Sequence, residues 1–449
     1  MIPPKPVPRP DRVSLPRHLR LFRRDILSAQ PQRLYRAWMA EFRTPFFTSF
    51  LVNDPALVRL VLDERPGDFP KSGRVGAGLK PLLGRSVFVT NGALWERQRR
   101  IIDPAFEGGR VRDAFPAMLA AAEAACGRLA PLADGRAVEM EAVASHAAAD
   151  VIVRTLFSIP IEDGAAAEVF AAFRAHQRTQ PILNLAVFVP LPAWVPRLHS
   201  WRTGATARRI RRLIAGLTRE RAAAVAAGTA PDDLATKIMT APDPLTGERF
   251  GWEEMVDQVA IFFLAGHETS ASALAWTLWC LAASPDWQGR AAAEAAAWDG
   301  TFAGLGRLRA CRDSFREALR LYPPVPMMVR EAARPEEFRG RTVRRGAQVV
   351  VSPWHLHRHE RLWVEPDAFD PGRWATEKGR APARDAFVPF SRGPRACPGA
   401  GFAMAEGVAL LAALLRRFRF AVVDGREPVP VAHLTVRGRD GVWLRVSPR

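Results

Sequence analysis

The apolar positions of this chain fall into two textures that meet near Tyr322. From about Ala93 to Ala227, Ala, Leu and Arg dominate, and apolar residues recur at spacings of three and four, which line one face of a helix. Pro131–Gly135 and Pro160–Gly164 read as loops, and the apolar, proline-punctuated stretch Pro181–Pro196 interrupts the helical pattern. Earlier, a β-prone run around Phe47–Val52 precedes Asp54-Pro55, an N-cap and first-turn pair that opens a helix through Asp63. A long helix is predicted from about Gly251 to Ala283, stopped by Pro285. Past Tyr322, short β-prone runs (Gln348–Ser352, Leu434–Arg437, Val442–Val446) alternate with Pro- and Gly-rich loops, and one more helix is predicted from about Gly401 to Arg417. No internal repeat or linker separates these parts. The pattern predicts a mostly α protein with a small β-rich portion: one domain over residues 20–449 behind a proline-rich basic arm, residues 1–19.

Composition narrows the class. Of 449 residues, 48% are hydrophobic, enough for a deep core. The net charge is +18, from 64 Lys+Arg against 46 Asp+Glu, which favours acidic partners. With no helix-turn-helix, zinc finger or aromatic-studded RNA-binding stretch, nucleic acid is not among the expected partners. Cys126, Cys280, Cys311 and Cys397 are scattered and form no C-x-x-C pair, which argues against a disulfide framework or zinc ribbon and for a reducing, cytoplasmic setting. The N-terminus, MIPPKPVPRPDRVSLP, has no apolar run behind it, so neither a signal peptide nor a transmembrane anchor is expected. Val259–Ala283 is the most apolar stretch, but His267 and Glu268 at its middle make it a buried helix rather than a membrane span.

One cysteine sits in a distinctive loop, Phe390-Ser-Arg-Gly-Pro-Arg-Ala-Cys397-Pro-Gly399, immediately before a helix. Unpaired N–H groups at a helix start help keep a thiolate ionised. Gly393 and Gly399 permit a tight backbone and the close approach of a bulky planar ligand, and Arg395 offers a cation to a carboxylate. A thiolate on such a loop suits the axial position of haem iron.

This segment closely resembles the haem-binding loop of the cytochrome P450 family, F-x-x-G-x-R-x-C-x-G, through Phe390, Gly393, Arg395, Cys397 and Gly399. Other motifs of that family follow in order. Glu317 and Arg320 form E-x-x-R on one helix face. Pro366-Asp-Ala-Phe369-Asp-Pro371-Gly-Arg373-Trp374 resembles the family's meander, so the resemblance implies a buried structural triad of Glu317, Arg320 and Arg373. Trp95 and Arg99 match the W-x-x-x-R whose side chains meet a haem propionate, and their spacing puts both on one helix face. Arg330 and His355 are further propionate candidates by family position. Ala265-Gly266-His267-Glu268-Thr269 matches A-G-x-[DE]-T. A glycine inside a helix calls for a reason, and Thr269 can hydrogen-bond the carbonyl of Ala265, disturbing the helix and making room for a diatomic ligand. Glu268 and Thr269 then offer a carboxyl and a hydroxyl for proton delivery.

The resemblance, from about Leu51 to Val446, implies a soluble, bacterial-type haem-thiolate monooxygenase with a cytochrome P450-like single-domain fold and haem b as cofactor. It implies a lipophilic substrate (a fatty acid, terpenoid or similar), O2, and an acidic ferredoxin or flavodoxin as separate electron donor. The substrate-pocket candidates are Val87, Phe88, Ala265, Val325, Met327 and Met328. Arg97, Arg100 and Arg392, with Arg416 or Arg417, are expected to form a basic docking face on the Cys397 side. A peroxide-driven or O2-independent haem-thiolate enzyme and a non-enzymatic haem-binding protein are the alternatives; the intact Glu268–Thr269 pair argues against both. Two signals are set aside. His355, His357 and His359 alternate as they would on one strand face, yet no carboxylates accompany them, and the glycine-rich run at Ser72–Lys80 lacks the G-K-[ST] of a phosphate loop.

Overall fold

The computed structural model describes residues 1–43, 47–179, 201–432 and 434–449; the Pro181–Pro196 stretch lies outside the described residues. The helices around the site are α1 (Gly92–Ile102), α2 (Arg110–Leu129), α3 (Met140–Phe157), α4 (Trp252–Ala282), α5 (Arg309–Leu321) and α6 (Ala400–Arg417). The mixed sheet beside them runs in the order β1 (Met39–Arg43), β2 (Thr48–Val52), β4 (Gln348–Val351), β3 (Met328–Glu331). β2 pairs parallel with β4, Ser49 opposite Gln348, and the other pairs are antiparallel. A C-terminal hairpin joins β5 (Pro430–Ala432) to β6 (Val436–Gly438).

α4 forms the axis of the helical part, and from Met255 onward apolar residues on several of its sides are buried. It starts where the Glu254 carboxylate accepts the Gly251 N–H at 3.1 Å and stops before Pro285. Trp276, Leu274 and Leu278 of α4 share one apolar core with Met118 and Cys126 of α2 and Leu411 and Leu415 of α6. α6 and α5 meet closely at Gly407, where a Cβ would lie 2.3 Å from the Phe315 ring.

The predicted elements are found with small shifts in their ends. The Asp54-capped helix is regular over Pro55–Arg59 and widens over Leu60–Glu64, with Asp54 accepting the Ala56 N–H at 3.0 Å. Beyond Tyr322 there is a helix that periodicity did not suggest, Glu377–Ala386, whose EKGRAPARDA is polar and contains Pro382. Thr376 caps it, and Gly379 is needed there because a Cβ would meet the Arg373 carbonyl oxygen at 2.2 Å. The N-terminal arm lies against the body: Tyr322 donates to the Pro4 carbonyl at 2.6 Å, Phe369 N–H to Met1 at 2.9 Å, and Lys5 pairs with Asp367. Helix Leu15–Arg24 runs across the expected boundary at residue 19.

The closest helix contact explains Gly266. A Cβ there would lie 2.1 Å from Cδ1 of Ile152 on α3, so the glycine serves helix packing and faces α3. Gly266→Ala gains about 1 kcal/mol of helix propensity but forces the Ile152 side chain aside, an overpacking cost of about 1–3 kcal/mol. Urea denaturation should show Gly266→Ala destabilising in the native background and stabilising beside Ile152→Ala, where only the Cβ, 3.8 Å away, remains.

Candidate active site

The loop before α6 is shaped by two backbone requirements. Gly393 has φ +69°, and a Cβ there would lie 2.2 Å from the Leu62 carbonyl oxygen, so only glycine fits. Cys397 N–H donates to the Phe390 carbonyl at 2.9 Å, which closes the loop beneath the thiol. Phe390 itself packs with Met404 and Phe387 against Ala273, Phe315 and Leu319. Gly399 is different: a Cβ would meet only Phe106 at 3.8 Å and Cys397 Sγ at 3.9 Å, ordinary contacts, so protein packing does not demand this glycine. Phe106 also joins Phe262 of α4 to Phe402 of α6, an aromatic support that the motifs did not reveal.

Cys126, Cys280 and Cys311 are buried, and Cys397 is exposed. Its thiol pKa is nevertheless raised by desolvation, with the Gly399 N–H and Arg99 pulling it down less strongly. The sulfur is thus reachable from solvent yet set among groups that desolvate it. The helix start alone does not ionise this thiol; a metal on sulfur would displace the proton.

Beside the loop lies a group of cations around the buried Trp95 ring. Arg395 is 5.0 Å, Lys71 Nζ 5.5 Å and Arg99 5.9 Å from its centroid. Arg330, also buried, belongs to the same field, because β3 forms an isolated bridge to Lys71. Burial, then the charges of Arg330, Arg395 and Arg99, push the Lys71 amine down to about 6. Burial and Arg395 lower Arg330 to about 10. Arg99 is held by Asp103 at 2.7 Å and by the Ala396 carbonyl at 2.8 Å, whereas Arg395 donates to the Pro66 carbonyl and leaves a buried Nε without partner. An arrangement with this excess of desolvated cations matches a ligand bearing carboxylates, and the propionates of a haem beside Cys397 fit it. Lys71 was not foreseen: no motif includes it, and only the fold brings it 24 residues in sequence back to Trp95. His355 is not joined to this group; it is buried with Nδ1 2.8 Å from Ser352 Oγ and its ring against Tyr35.

The Lys71 shift has a sign that can be checked. The folded amine releases its proton near pH 6, and the unfolded one keeps it to about 10.4. The unfolded chain then binds more protons between these values, so stability of the ligand-free protein rises with pH across that window. Lys71→Met should flatten this rise, measured as the unfolding midpoint from pH 6 to 10; an unchanged slope would remove Lys71 from the cation field.

The second group of candidates lies on α4. Ala265 is exposed on a helix whose neighbouring turns are buried, and Thr269 is half-buried with Oγ1 donating to the Ala265 carbonyl at 2.6 Å. The back-bond is the expected one, yet α4 runs unbroken through it. Glu268 is buried and turned to the C-terminal hairpin, where Oε1 accepts from Thr435 Oγ1 at 2.8 Å and Arg437 Nη2 at 2.6 Å. Among the pocket candidates, Val87 is buried, its N–H donating to Gln258 on α4 at 3.0 Å and its carbonyl accepting from Lys71 at 2.6 Å. Val325 and Met327 are half-buried, Met328 packs on the apolar cluster of the mixed sheet, and Phe88 is 44% exposed.

Glu317, Arg320 and Arg373 do meet. Arg320 binds Glu317 through two bonds of 3.0 and 2.8 Å, and Arg373 Nε reaches it at 3.0 Å, all three buried. The remaining guanidinium donors go to carbonyls of His357, Pro366 and Ala368 (Arg320) and of Val364, Glu365 and Ala368 (Arg373). The histidine run is not a strand. His357 Nε2 accepts the Val388 N–H at 2.9 Å, His359 stacks on Trp38, and among the described residues no cluster could hold a metal ion.

The basic docking face is not found as expected. Arg97 is clamped by Glu254 at 2.8 Å and Arg100 by buried Asp243 at 2.7 and 2.8 Å. Arg392 is paired with Asp63 at 2.5 Å and Arg417 with Glu123. These charges are largely satisfied within the chain.

Comparison with known proteins gives a single picture. The family model "Cytochrome P450" matches residues 32–442. The chain is 32% identical over 396 residues to cyclooctat-9-en-7-ol 5-monooxygenase of Streptomyces melanosporofaciens, covering 86% of this chain and 83% of that protein. It is 27% identical to cytochrome P450 4F2 of Homo sapiens, over 94% of this chain and 84% of that one. The crystal structure of the cytochrome P450DA heme domain superposes with a TM-score of 0.81 at 26% identity, over 100% of this chain and 98% of that one.

Proposed function

Since the chain belongs to the cytochrome P450 family, and is a haem-dependent monooxygenase of that type, we propose that it inserts one O2-derived oxygen atom into a lipophilic small molecule. The observation that carries this reading is the exposed Cys397 thiol with a desolvated cation field beside it. Haem b is the cofactor of the proposal, and Cys397 would hold its iron through sulfur. Trp95, Arg99, Arg330, Arg395 and Lys71 would hold its propionates, and Arg395, whose Nε lacks a partner, would gain most. When bound, the haem supplies the iron that activates O2.

The chain's own residues then divide the work. Ala265 keeps that turn of α4 small, Thr269 supplies the hydroxyl now bonded to the Ala265 carbonyl, and Glu268 is the acid that exchanges protons with solvent. The apolar candidates Val87, Val325 and Met327 favour a hydrocarbon-rich substrate. Hydrocarbon-rich alcohols, with terpenoids among them, are the first class to test, supported by the Streptomyces relative named as a cyclooctat-9-en-7-ol 5-monooxygenase, with fatty acids second. Electrons come from a separate redox protein; an acidic ferredoxin or flavodoxin is supported by the +18 net charge rather than by a local patch. A cytoplasmic setting is supported by the four free cysteines; among the described residues no helix is long and apolar enough to cross a membrane.

The experiment is turnover of a panel of terpenoid alcohols and fatty acids under labelled O2 with a ferredoxin and its reductase. One labelled oxygen per product supports the proposal; product formed only with peroxide, or without O2, rejects it. Within the same assay, Thr269→Ala should lower the share of reduced cofactor that ends in product, with peroxide in its place, and leave substrate affinity near that of the native enzyme. A collapse of affinity with unchanged coupling would make Thr269 a pocket residue.

A further inference from the structure

Away from Cys397 and Trp95, the helix Trp201–Ala226 is tied to the first turns of α4. Arg211 makes the tie: its guanidinium pairs with the buried Asp257 of α4 at 2.6 Å and donates to the Leu82 carbonyl at 3.1 Å. On the solvent side of that tie, Ala205, Arg208, Arg212 and Ala215 recur every three or four residues and so share one helix face. With Trp252 and Val256 of α4, one turn apart, they line a groove of about 620 Å³. Small-ligand pockets commonly hold about 300–1,000 Å³. Ala205 and Ala215 leave space that larger side chains would fill, and Val256 is buried. Trp252 is 43% exposed, the one tryptophan among the described residues with so open a ring, and Arg219 lies 5.5 Å from its centroid. Arg208 and Arg212 are exposed, and among the described residues neither has an ion pair or a ring partner. Arg97, Arg100 and Arg392, by contrast, are each held by a carboxylate.

We propose that this groove is a second binding site, separate from the one around Cys397, for an amphipathic anion: a medium-length hydrocarbon chain ending in a carboxylate. Arg208 and Arg212 stand one helical turn apart, with about 5–6 Å between Cβ atoms, so both guanidinium groups can reach one carboxylate, the geometry of a charge-assisted clamp. From Ala205 to Ala215 the helix runs about 15 Å at about 1.5 Å per residue, which gives an extended chain room to lie along it. The Trp252 ring and Val256 offer that chain apolar surface, and an exposed aromatic ring beside cations is suited to a ligand with one apolar and one charged end. Glu253 is the only acidic residue lining the groove. With one acid against two unpaired arginines, the groove suits a single negative charge rather than a polyanion. Its shape is already set, because Asp257 holds Arg211 and also accepts the Arg85 N–H at 2.6 Å, fixing the helix, α4 and the loop at Leu82–Arg85 together.

The test uses the full-length, haem-loaded protein labelled with fluorotryptophan, the Trp252 fluorine resonance being identified by its loss in Trp252→Phe. Titration with dodecanoate below its micelle concentration should shift that resonance saturably, while the haem absorption band reads the pocket beside Cys397 independently. Neutral dodecanol should bind the groove about tenfold more weakly, and so should dodecanoate in the double variant Arg208→Gln/Arg212→Gln. The double variant should keep the native thermal midpoint and the native response of the haem band, because both arginines are exposed and outside the site around Cys397. An unmoved Trp252 resonance would overturn the inference, as would equal binding of dodecanol and dodecanoate. A Trp252 shift that follows the haem band point for point and survives in the double variant would be a relay from the other pocket, and would overturn it too. Phosphatidylglycerol vesicles form the last arm: a resonance that responds to vesicles and not to dissolved dodecanoate would make the groove a contact with a lipid surface and reject the small-ligand site. Should the double variant fail to fold, Ala215→Trp fills the groove from the same face and must abolish the dodecanoate shift while leaving the haem band response native.

Discussion

Cys397→Ser is expected to abolish product formation and, in the reduced protein with carbon monoxide, to remove the red-shifted absorption band of a thiolate-ligated haem. Serine has nearly the same shape, so the loop held by Cys397 N–H to the Phe390 carbonyl and by Gly393 against Leu62 should persist. What is lost is the donor. A thiolate pushes electron density onto the iron, and a serine hydroxyl is a poor substitute. The structure makes the expectation strict, because Cys126, Cys280 and Cys311 are buried and cannot replace it. Burial raises Cys280 and Cys126, the latter to about 11, so they stay as inert thiols. Retention of the band in Cys397→Ser would mean that the sulfur ligand lies elsewhere, and the assignment of the whole site would fall.

Glu317→Ala should have the largest effect on stability. It leaves two buried guanidinium groups, Arg320 and Arg373, facing each other without their shared carboxylate. Removing one partner of a buried charge network costs about 3–5 kcal/mol, against a total stability of about 5–15 kcal/mol for a typical protein. The loss also reaches the meander, since Asp370 N–H donates to Glu317 at 3.1 Å and the carbonyls of Pro366 and Ala368 are held by Arg320. We expect little folded, haem-loaded protein at 37 °C and a clear drop in the urea midpoint at lower temperature. A loss of unfolding free energy under about 1 kcal/mol would show that the arginines find other partners and that the triad is dispensable.

The long α4 helix and the Cys397 loop were both legible because their chemistry is local. The apolar run with its Gly251 start and Pro285 stop is written in one stretch, and so are the glycines and Phe390 that shape the loop. The Thr269 back-bond was legible for the same reason, since it spans one helical turn. Glu317 and Arg320 face each other by their spacing of three, but Arg373 could be joined to them only through the family motifs, as nothing in residue spacing says that so distant a position will share the carboxylate.

Where local reasoning gave a different answer, a distant neighbour decided it. Gly266 suggested space for a small ligand, but Ile152 on α3 is what requires the missing side chain. A helix start suggested an ionised thiol, but desolvation within the fold outweighs it. The arginines near the thiol suggested an open basic face, but Glu254, Asp243 and Asp63 neutralise them from elsewhere in the chain.

The sequence by itself thus determined the helical framework, the position of the cysteine and the alcohol–acid pair, because each depends on residues within one or two turns of one another. Tertiary structure alone decided which cations gather at Trp95, that Lys71 is among them, and that Glu268 is bound to Arg437 of the last hairpin. The physical reason is that ion pairing and desolvation are set by distance and dielectric, and neither is a property of sequence separation.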